Sequence, residues 1–154
     1  MTRVSPTPTP DKMVLTARIL GYGGALPFLG GAIAANQQIA IWGFAPAYFL
    51  LSYGAIILSF LGGLHWGRVI TSPSENHRSD SAWLIWSVCP SLLGWAALLL
   101  PIKVGAVVLS LCFLTALRVD QKLLREQVWP VWMRPLRLHL SLFAVVNLTT
   151  IVVL

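Results

Sequence analysis

The fold of this chain is decided by one stretch, PAYFLLSYGAIILSFLGGLHWGRV, which covers residues 46–69. It carries no charged residue before Arg68. A helix needs about 20 predominantly apolar residues to cross the hydrocarbon core of a bilayer, and this stretch is long enough. Further apolar stretches lie on both sides of it, at residues 13–35, 83–100, 104–117 and 138–154. We therefore predict an all-α, polytopic membrane helix bundle of five transmembrane helices.

The composition agrees with a membrane protein. The chain has 154 residues, of which 56% are hydrophobic and only 10% are charged, whereas soluble domains carry about 25% charged residues. Five spans leave room for short loops alone, so we expect a single transmembrane domain at residues 13–154. The preceding residues 1–12 are rich in Pro and Thr and are expected to form a disordered tail.

The positions of the cations predict the orientation. Lys103 alone among the 11 lysines and arginines lies on one side of the predicted membrane, and all five acids lie with the other cations. Cationic loops stay on the cytoplasmic side. We expect a cytoplasmic N-terminus, a C-terminus on the opposite side, and residence in the inner membrane (the mitochondrial inner membrane in a eukaryote). Since the net charge of +6 is scattered over helix ends, the lipid bilayer is the expected partner and nucleic acid is not.

Two interpretations fit the first apolar stretch. Residues 32–35, AIAA, resemble the cleavage site of a signal peptide. However, the apolar stretch is longer than a usual signal core, and its glycines are typical of a helix-packing face. We favour a first helix that is retained.

Small residues are placed for close approach of helices. In lipid, helix association depends on close packing and on a few polar contacts, because apolar side chains gain little by leaving an apolar solvent. We expect the glycine stripes to pack helices within one chain, with oligomer formation as the alternative. The candidate packing residues are Gly21, Gly24, Gly54, Gly62, Gly63 and Gly67.

His65 is the first candidate functional residue, with Trp66 beside it. An ionisable group at membrane depth is costly and normally points into the bundle toward a partner. His65 is therefore expected to be a haem ligand, a proton relay or a donor to a quinone headgroup, or else a structural histidine that pairs with a backbone carbonyl or with Asp120. His139, near the start of the last span, is a possible second haem ligand. The sequence names no particular cofactor.

Two more polar residues are candidates. Asp120 is either a loop charge without a role or a partner of Arg68, Arg137 or His65 that fixes helix register. Asn147 lies deep in the last span, where one amide can bridge two helices.

The fourth helix is expected to continue past Asp120 as an amphipathic segment. In this segment Leu123, Leu124, Val128 and Trp132 are predicted to lie on the membrane surface, with Lys122 and Arg125 toward water.

Three motifs carry a resemblance to a known family. They are LGYGGALPF at residues 20–28, YGAIILSFLGGLHWG at residues 53–67 and WSVCPSLLGW at residues 86–95, followed by the region of Asp120. Together they resemble the domain-of-unknown-function family that includes transmembrane protein 69, which occurs in proteobacteria and mitochondria. The resemblance covers nearly the whole chain and implies a small multi-pass inner-membrane protein connected with the respiratory membrane. It implies no activity.

The tryptophan-rich sensory proteins are a rival resemblance, because they have five helices and a similar size. Their Trp-Pro-Pro loop after the first helix is missing here, since residues 36–43 are NQQIAIWG.

No motif for catalysis occurs in the sequence. It has no nucleophile–base pair, phosphate-binding loop, metal-ligand cluster or pair of carboxylates in a common site. We expect a non-enzymatic accessory or assembly factor for respiratory-type membrane complexes, without a metal. The alternative is a cofactor-, quinone- or lipid-binding membrane protein organised around His65, and transport of a small neutral metabolite is also open.

Overall fold

The computed structural model describes residues 11–71, 77–125 and 129–153. These residues form six α-helices and no strand longer than an isolated bridge. The bounds are α1 Asp11–Gly23, α2 Leu26–Gln37, α3 Pro46–Thr71, α4 His77–Leu98, α5 Ile102–Arg125 and α6 Met133–Val153. Five segments are long and apolar enough to cross a membrane, with α1 and α2 together forming the first. The predicted all-α bundle of five spans is therefore confirmed.

The first span differs from the continuous helix predicted over residues 13–35, because it breaks between α1 and α2. Gly23 and Gly24 each cost about 1 kcal/mol in a helix relative to Ala, and Pro27 supplies no N–H to the carbonyl four residues earlier. At this break the Tyr53 hydroxyl of α3 donates to the Gly24 carbonyl at 2.8 Å. A side chain of the second span therefore stabilises the interruption.

The start of α1 also corrects the expected tail. Because α1 begins at Asp11, the last two residues of the predicted tail are helical. The remainder of that tail, residues 1–10, lies outside the described residues.

Helix α3 is the centre of the bundle and contacts α2, α4, α5 and α6. Its buried side chains include Leu50, Leu51 and Leu58, which meet Phe113 of α5 and Leu148 of α6 in one core. The helix that decides the fold in the sequence is thus also the one around which the other spans pack.

Helices α3 and α4 approach closely through small residues. A Cβ added at Gly94 would lie 3.2 Å from the Ala55 carbonyl oxygen, and one added at Gly62 would collide with the Ser87 carbonyl oxygen. The hydroxyls of Ser59 and Ser91 lie 2.8 Å apart across the same interface. Close backbone contact and an interhelical hydrogen bond are the two interactions that hold helices together in lipid.

The last turn of α5 packs its leucines against other parts of the protein instead of against the membrane surface. Leu123 and Leu124 are buried and form a second apolar cluster with Trp129, against which Trp83 and Met133 pack. The prediction that these leucines lie on the membrane surface is wrong, because Trp129, Trp83 and Met133 supply a protein surface that covers them. Of the other residues in that prediction, Lys122 is exposed as expected, Trp132 is half-buried, and Val128 and the side chain of Arg125 lie outside the described residues.

One end of the bundle, called here the cation-rich end, holds the last turns of α3 and α5 and the first turns of α4 and α6. It contains Arg68, Arg118, Lys122, Arg134 and Arg137.

Candidate functional site

Three charged or ionisable side chains meet inside the cation-rich end. Asp120 of α5 lies between His65 of α3 and Arg137 of α6. The His65 Nε2 atom lies 3.1 Å from Asp120 Oδ1, and the Arg137 Nε atom donates to Asp120 Oδ2 at 2.7 Å. Arg137 Nη2 donates to the same oxygen. We call these three residues the buried triad.

All three side chains are buried, so their charges must be compensated within the protein. His65 is 2% exposed, Asp120 0% and Arg137 4%. A buried carboxylate without a counter-charge carries a desolvation penalty of several kcal/mol, so Asp120 depends on Arg137. The Asp120 carboxylate and the Arg137 guanidinium compensate each other's charge, which suits a site inside the membrane-spanning bundle.

The contact between His65 and Asp120 is close but is not a well-formed hydrogen bond. Within the described part of the chain Asp120 Oδ1 has no hydrogen-bond partner, although the His65 ring nitrogen lies 3.1 Å away. The Nδ1 atom of His65 is also buried, and no described residue is its hydrogen-bond partner. Arg137 therefore satisfies one carboxylate oxygen, and the histidine side of the site has unused hydrogen-bonding capacity.

Two tryptophans enclose the imidazole ring of His65. Trp129 stacks with a centroid separation of 5.1 Å and Trp83 with one of 5.7 Å. The guanidinium carbon of Arg68 lies 5.2 Å from the centre of the Trp83 ring, within the range of a cation–π interaction. Of the three partners predicted for Asp120, His65 and Arg137 contact it in the structure. Arg68 instead packs against the indole ring of Trp83.

The second histidine does not join the site. His139 Nδ1 lies 3.0 Å from the Tyr22 hydroxyl and so ties α6 to α1. His65 directs Nε2 at Asp120 and stacks on two indoles, so the described residues do not form the pair of histidines considered for haem. In the described parts of the chain no group of three or more His, Cys, Asp and Glu side chains could hold a metal ion.

The other two candidate residues, Trp66 and Asn147, make their contacts outside the buried triad. Trp66 is 46% exposed, on the outer side of α3. Asn147 is buried, and its Nδ2 group donates to the Phe143 carbonyl of its own helix at 2.7 Å. The bridge between two helices predicted for Asn147 is therefore not made by its amide nitrogen.

The six glycines predicted to pack helices fall into two groups. A Cβ at Gly21, Gly24, Gly54 or Gly62 would lie within 4 Å of other atoms of the chain. By contrast, a Cβ at Gly63 or Gly67 would meet nothing within 4 Å. Packing within the chain therefore accounts for the first four glycines and leaves the last two without a neighbour in the described part of the chain.

The sequence did not identify Trp83 and Trp129 as parts of the site. Tryptophans at span ends are ordinarily assigned to the headgroup region, and both follow that pattern in the sequence. The one indication in the sequence is that several tryptophans lie near the same span ends as His65 and Asp120.

Comparisons with known proteins agree with the membrane fold. A family model described as "Protein of unknown function (DUF3429)" matches residues 13–153. Transmembrane protein 69 of Xenopus tropicalis is 36% identical over 136 residues, which is 86% of this chain and 51% of that protein. Transmembrane protein 69 of Mus musculus is 29% identical over 108 residues, 70% of this chain and 44% of that protein. The chain thus spans about half the length of these curated relatives. No solved structure matches it.

Proposed function

This chain is a member of the DUF3429 family of multi-pass membrane proteins, and we propose that it is a non-enzymatic accessory or assembly protein of respiratory-type inner-membrane complexes. In this role it binds a transmembrane helix of a partner subunit along the outer face of α3. The observation that carries the proposal is the open space beside Gly63 and Gly67.

These glycines lie one turn apart on the same exposed face of α3, in the GxxxG spacing that allows two helix backbones to approach. Each glycine costs about 1 kcal/mol relative to Ala in a helix interior. Elsewhere in α3, Gly54 and Gly62 offset that cost by close contacts within the chain. A partner helix would supply the missing contacts at Gly63 and Gly67, whereas lipid chains would cover larger side chains equally well.

Large apolar side chains surround the two glycines on this face. Ile56, Phe60 and Ile70 are each more than 60% exposed, and together with the glycines they give α3 a ridge beside a shallow groove. A transmembrane helix with its own small residues fits such a surface.

Crosslinking within the membrane tests the proposal. A photoreactive phenylalanine analogue placed at Phe60 is expected to capture one defined membrane subunit, and the same analogue at Leu92, which is exposed on α4, is the matched control. The captured subunit should disappear when Gly63 and Gly67 are changed to Leu. A Gly30→Leu change, at an open glycine of α2, should leave it in place.

Two results would contradict the accessory role. One is recovery of the chain as a lone monomer after mild-detergent extraction under conditions that preserve membrane complexes. The other is equal capture from positions 60 and 92.

A second candidate function is ligand binding organised around His65, as a cofactor-, quinone- or lipid-binding protein. The specific observation in its favour is the unpartnered His65 Nδ1 in a ring that is 2% exposed and enclosed by two indoles. An absorbance spectrum of the purified protein and solvent extraction for bound quinone or lipid test it. If His65→Ala changes neither the spectrum nor the ligand content, this candidate is wrong.

A further inference from the structure

A cavity of about 130 Å³ lies between the break in the first span and helices α3, α5 and α6. Its walls are mainly apolar, and its polar side chains are Arg137 and Ser141. Arg137 also belongs to the buried triad, so the cavity begins directly beneath that site. The other walls used below are Leu20, Ala25, Phe28, Phe60 and Phe113.

Ser141 has an unused hydroxyl at this cavity. Its side chain is 0% exposed, and its Oγ atom has no hydrogen-bond partner among the residues that the structure describes. Serine and threonine in membrane helices ordinarily bond back to a carbonyl of their own helix, as Ser52 and Ser110 do here. A buried hydroxyl without a partner costs about 1–3 kcal/mol, and a ligand with an acceptor group would remove that cost.

The charge at the cavity favours a neutral ligand. Among the described residues that line the cavity, Arg137 alone carries a formal charge, and the Asp120 carboxylate already neutralises it. A phosphate or carboxylate headgroup would therefore meet no net positive charge. A carbonyl oxygen can accept from the Ser141 hydroxyl without adding a charge to the interior.

The size of the cavity and its aromatic walls favour a ring. An apolar cavity of about 150 Å³ binds benzene, and this cavity, at about 130 Å³, is of similar size. Phe28, Phe60 and Phe113 supply aromatic walls. At its rim, Leu20 is 71% and Phe60 63% exposed on the lipid-facing side, which leaves a path for an apolar tail into the bilayer.

We infer that this cavity binds the ring of a membrane quinone, with a ring carbonyl accepting a hydrogen bond from Ser141 and the tail leaving between Leu20 and Phe60. The site rests on the second candidate function, ligand binding, but places the ligand below Arg137 instead of at the His65 ring.

Photolabelling with an azidoquinone tests the site directly. The full chain is reconstituted in phosphatidylcholine nanodiscs, labelled, and mapped by mass spectrometry, with decylubiquinone as competitor. We expect labelled peptides from the α1–α2 break and from α3 around Phe60. Losing one hydrogen bond corresponds to about a tenfold weaker interaction, so Ser141→Ala should raise the competing concentration of decylubiquinone by about that factor.

Two further variants complete the test. Ala25→Leu fills the cavity from its wall and should also weaken competition. Ser110→Ala removes a buried hydroxyl that already has its own partner and does not line the cavity, and it should leave competition unchanged. Melting temperatures of all three variants establish that each is folded.

Several outcomes would overturn the inference. Labelling confined to other helices, or equal effects of Ser141→Ala and Ser110→Ala, contradicts the cavity. Displacement of the label by phosphatidylglycerol as readily as by decylubiquinone identifies an acyl-lipid site instead. Labelling lost in His65→Ala but kept in Ser141→Ala overturns the cavity and leaves ligand binding at His65 standing. Absence of saturable labelling in the unaltered protein overturns the quinone site, while extraction and the spectrum still decide whether His65 binds another ligand.

Discussion

Arg137 directs both Nε and Nη2 at one carboxylate oxygen of Asp120, inside the protein and across the interface between α6 and α5. The pair joins the two helices near the end at which the chain between them turns. A buried ion pair of this kind fixes which faces of two helices meet, and its removal as a unit is often tolerated. The pair therefore acts on helix register more than on net stability.

The first prediction concerns that pair. Asp120→Ala should lower the free energy of unfolding by about 3–5 kcal/mol, because it leaves the Arg137 charge buried without a partner. The measurement is unfolding in mixed micelles followed by circular dichroism.

The double variant Asp120→Leu with Arg137→Met is its control. It removes both charges and should recover most of the lost stability. If the double variant loses as much free energy of unfolding as the two single variants lose together, the two residues do not stabilise the protein as a pair.

Two adjacent glycines of α3 allow a second, sharply matched prediction. Gly62→Ala should destabilise the bundle by roughly 1–3 kcal/mol, because its Cβ would collide with the Ser87 carbonyl of α4. Gly63→Ala has open space beside it and should be neutral or slightly stabilising, since Ala favours the helix. Thermal unfolding of the two purified variants measures the change in stability. Equal changes would contradict the placement of Gly62 against α4 and of Gly63 on the exposed face of α3.

The sequence predicts the membrane spans better than it predicts which side chains contact one another. The five spans follow from length and hydropathy, because a backbone in lipid must satisfy its hydrogen bonds within helices. Hydropathy cannot distinguish lipid from protein as the apolar neighbour, and for that reason it places Leu123 and Leu124 on the wrong surface.

The partners in the site depend on rotation of the helices about their axes. From the sequence, Arg68, Arg137 and His65 are equally plausible partners of Asp120. The packing of α3, α5 and α6 brings Arg137 and His65 into contact with it. Stacking of Trp129 on His65 depends on the position of a residue between α5 and α6, which no periodic pattern specifies.

A third prediction addresses that stacking. Trp129→Ala should lower the free energy of unfolding by about 3–5 kcal/mol, as truncation of a buried aromatic side chain does, and should open one face of the His65 ring. Trp129→Phe keeps an aromatic ring against the imidazole and should cost much less. Unfolding curves of the two variants test the expectation, and equal losses for Ala and Phe would mean that ring stacking is not the stabilising contact.

The last prediction concerns orientation in the membrane. Lys103 and Lys122 are both exposed and lie at opposite ends of α5, so they make a matched pair for cysteine labelling once Cys89 and Cys112 are replaced by Ala. The cation-rich end holds Lys122, and cationic segments remain on the cytoplasmic side. In intact cells or mitoplasts, a membrane-impermeant maleimide should therefore label Lys103→Cys, and Lys122→Cys should react only after the membrane is opened. Labelling of Lys122→Cys from outside, with Lys103→Cys protected, would reverse the predicted topology and place the buried triad at the opposite membrane surface.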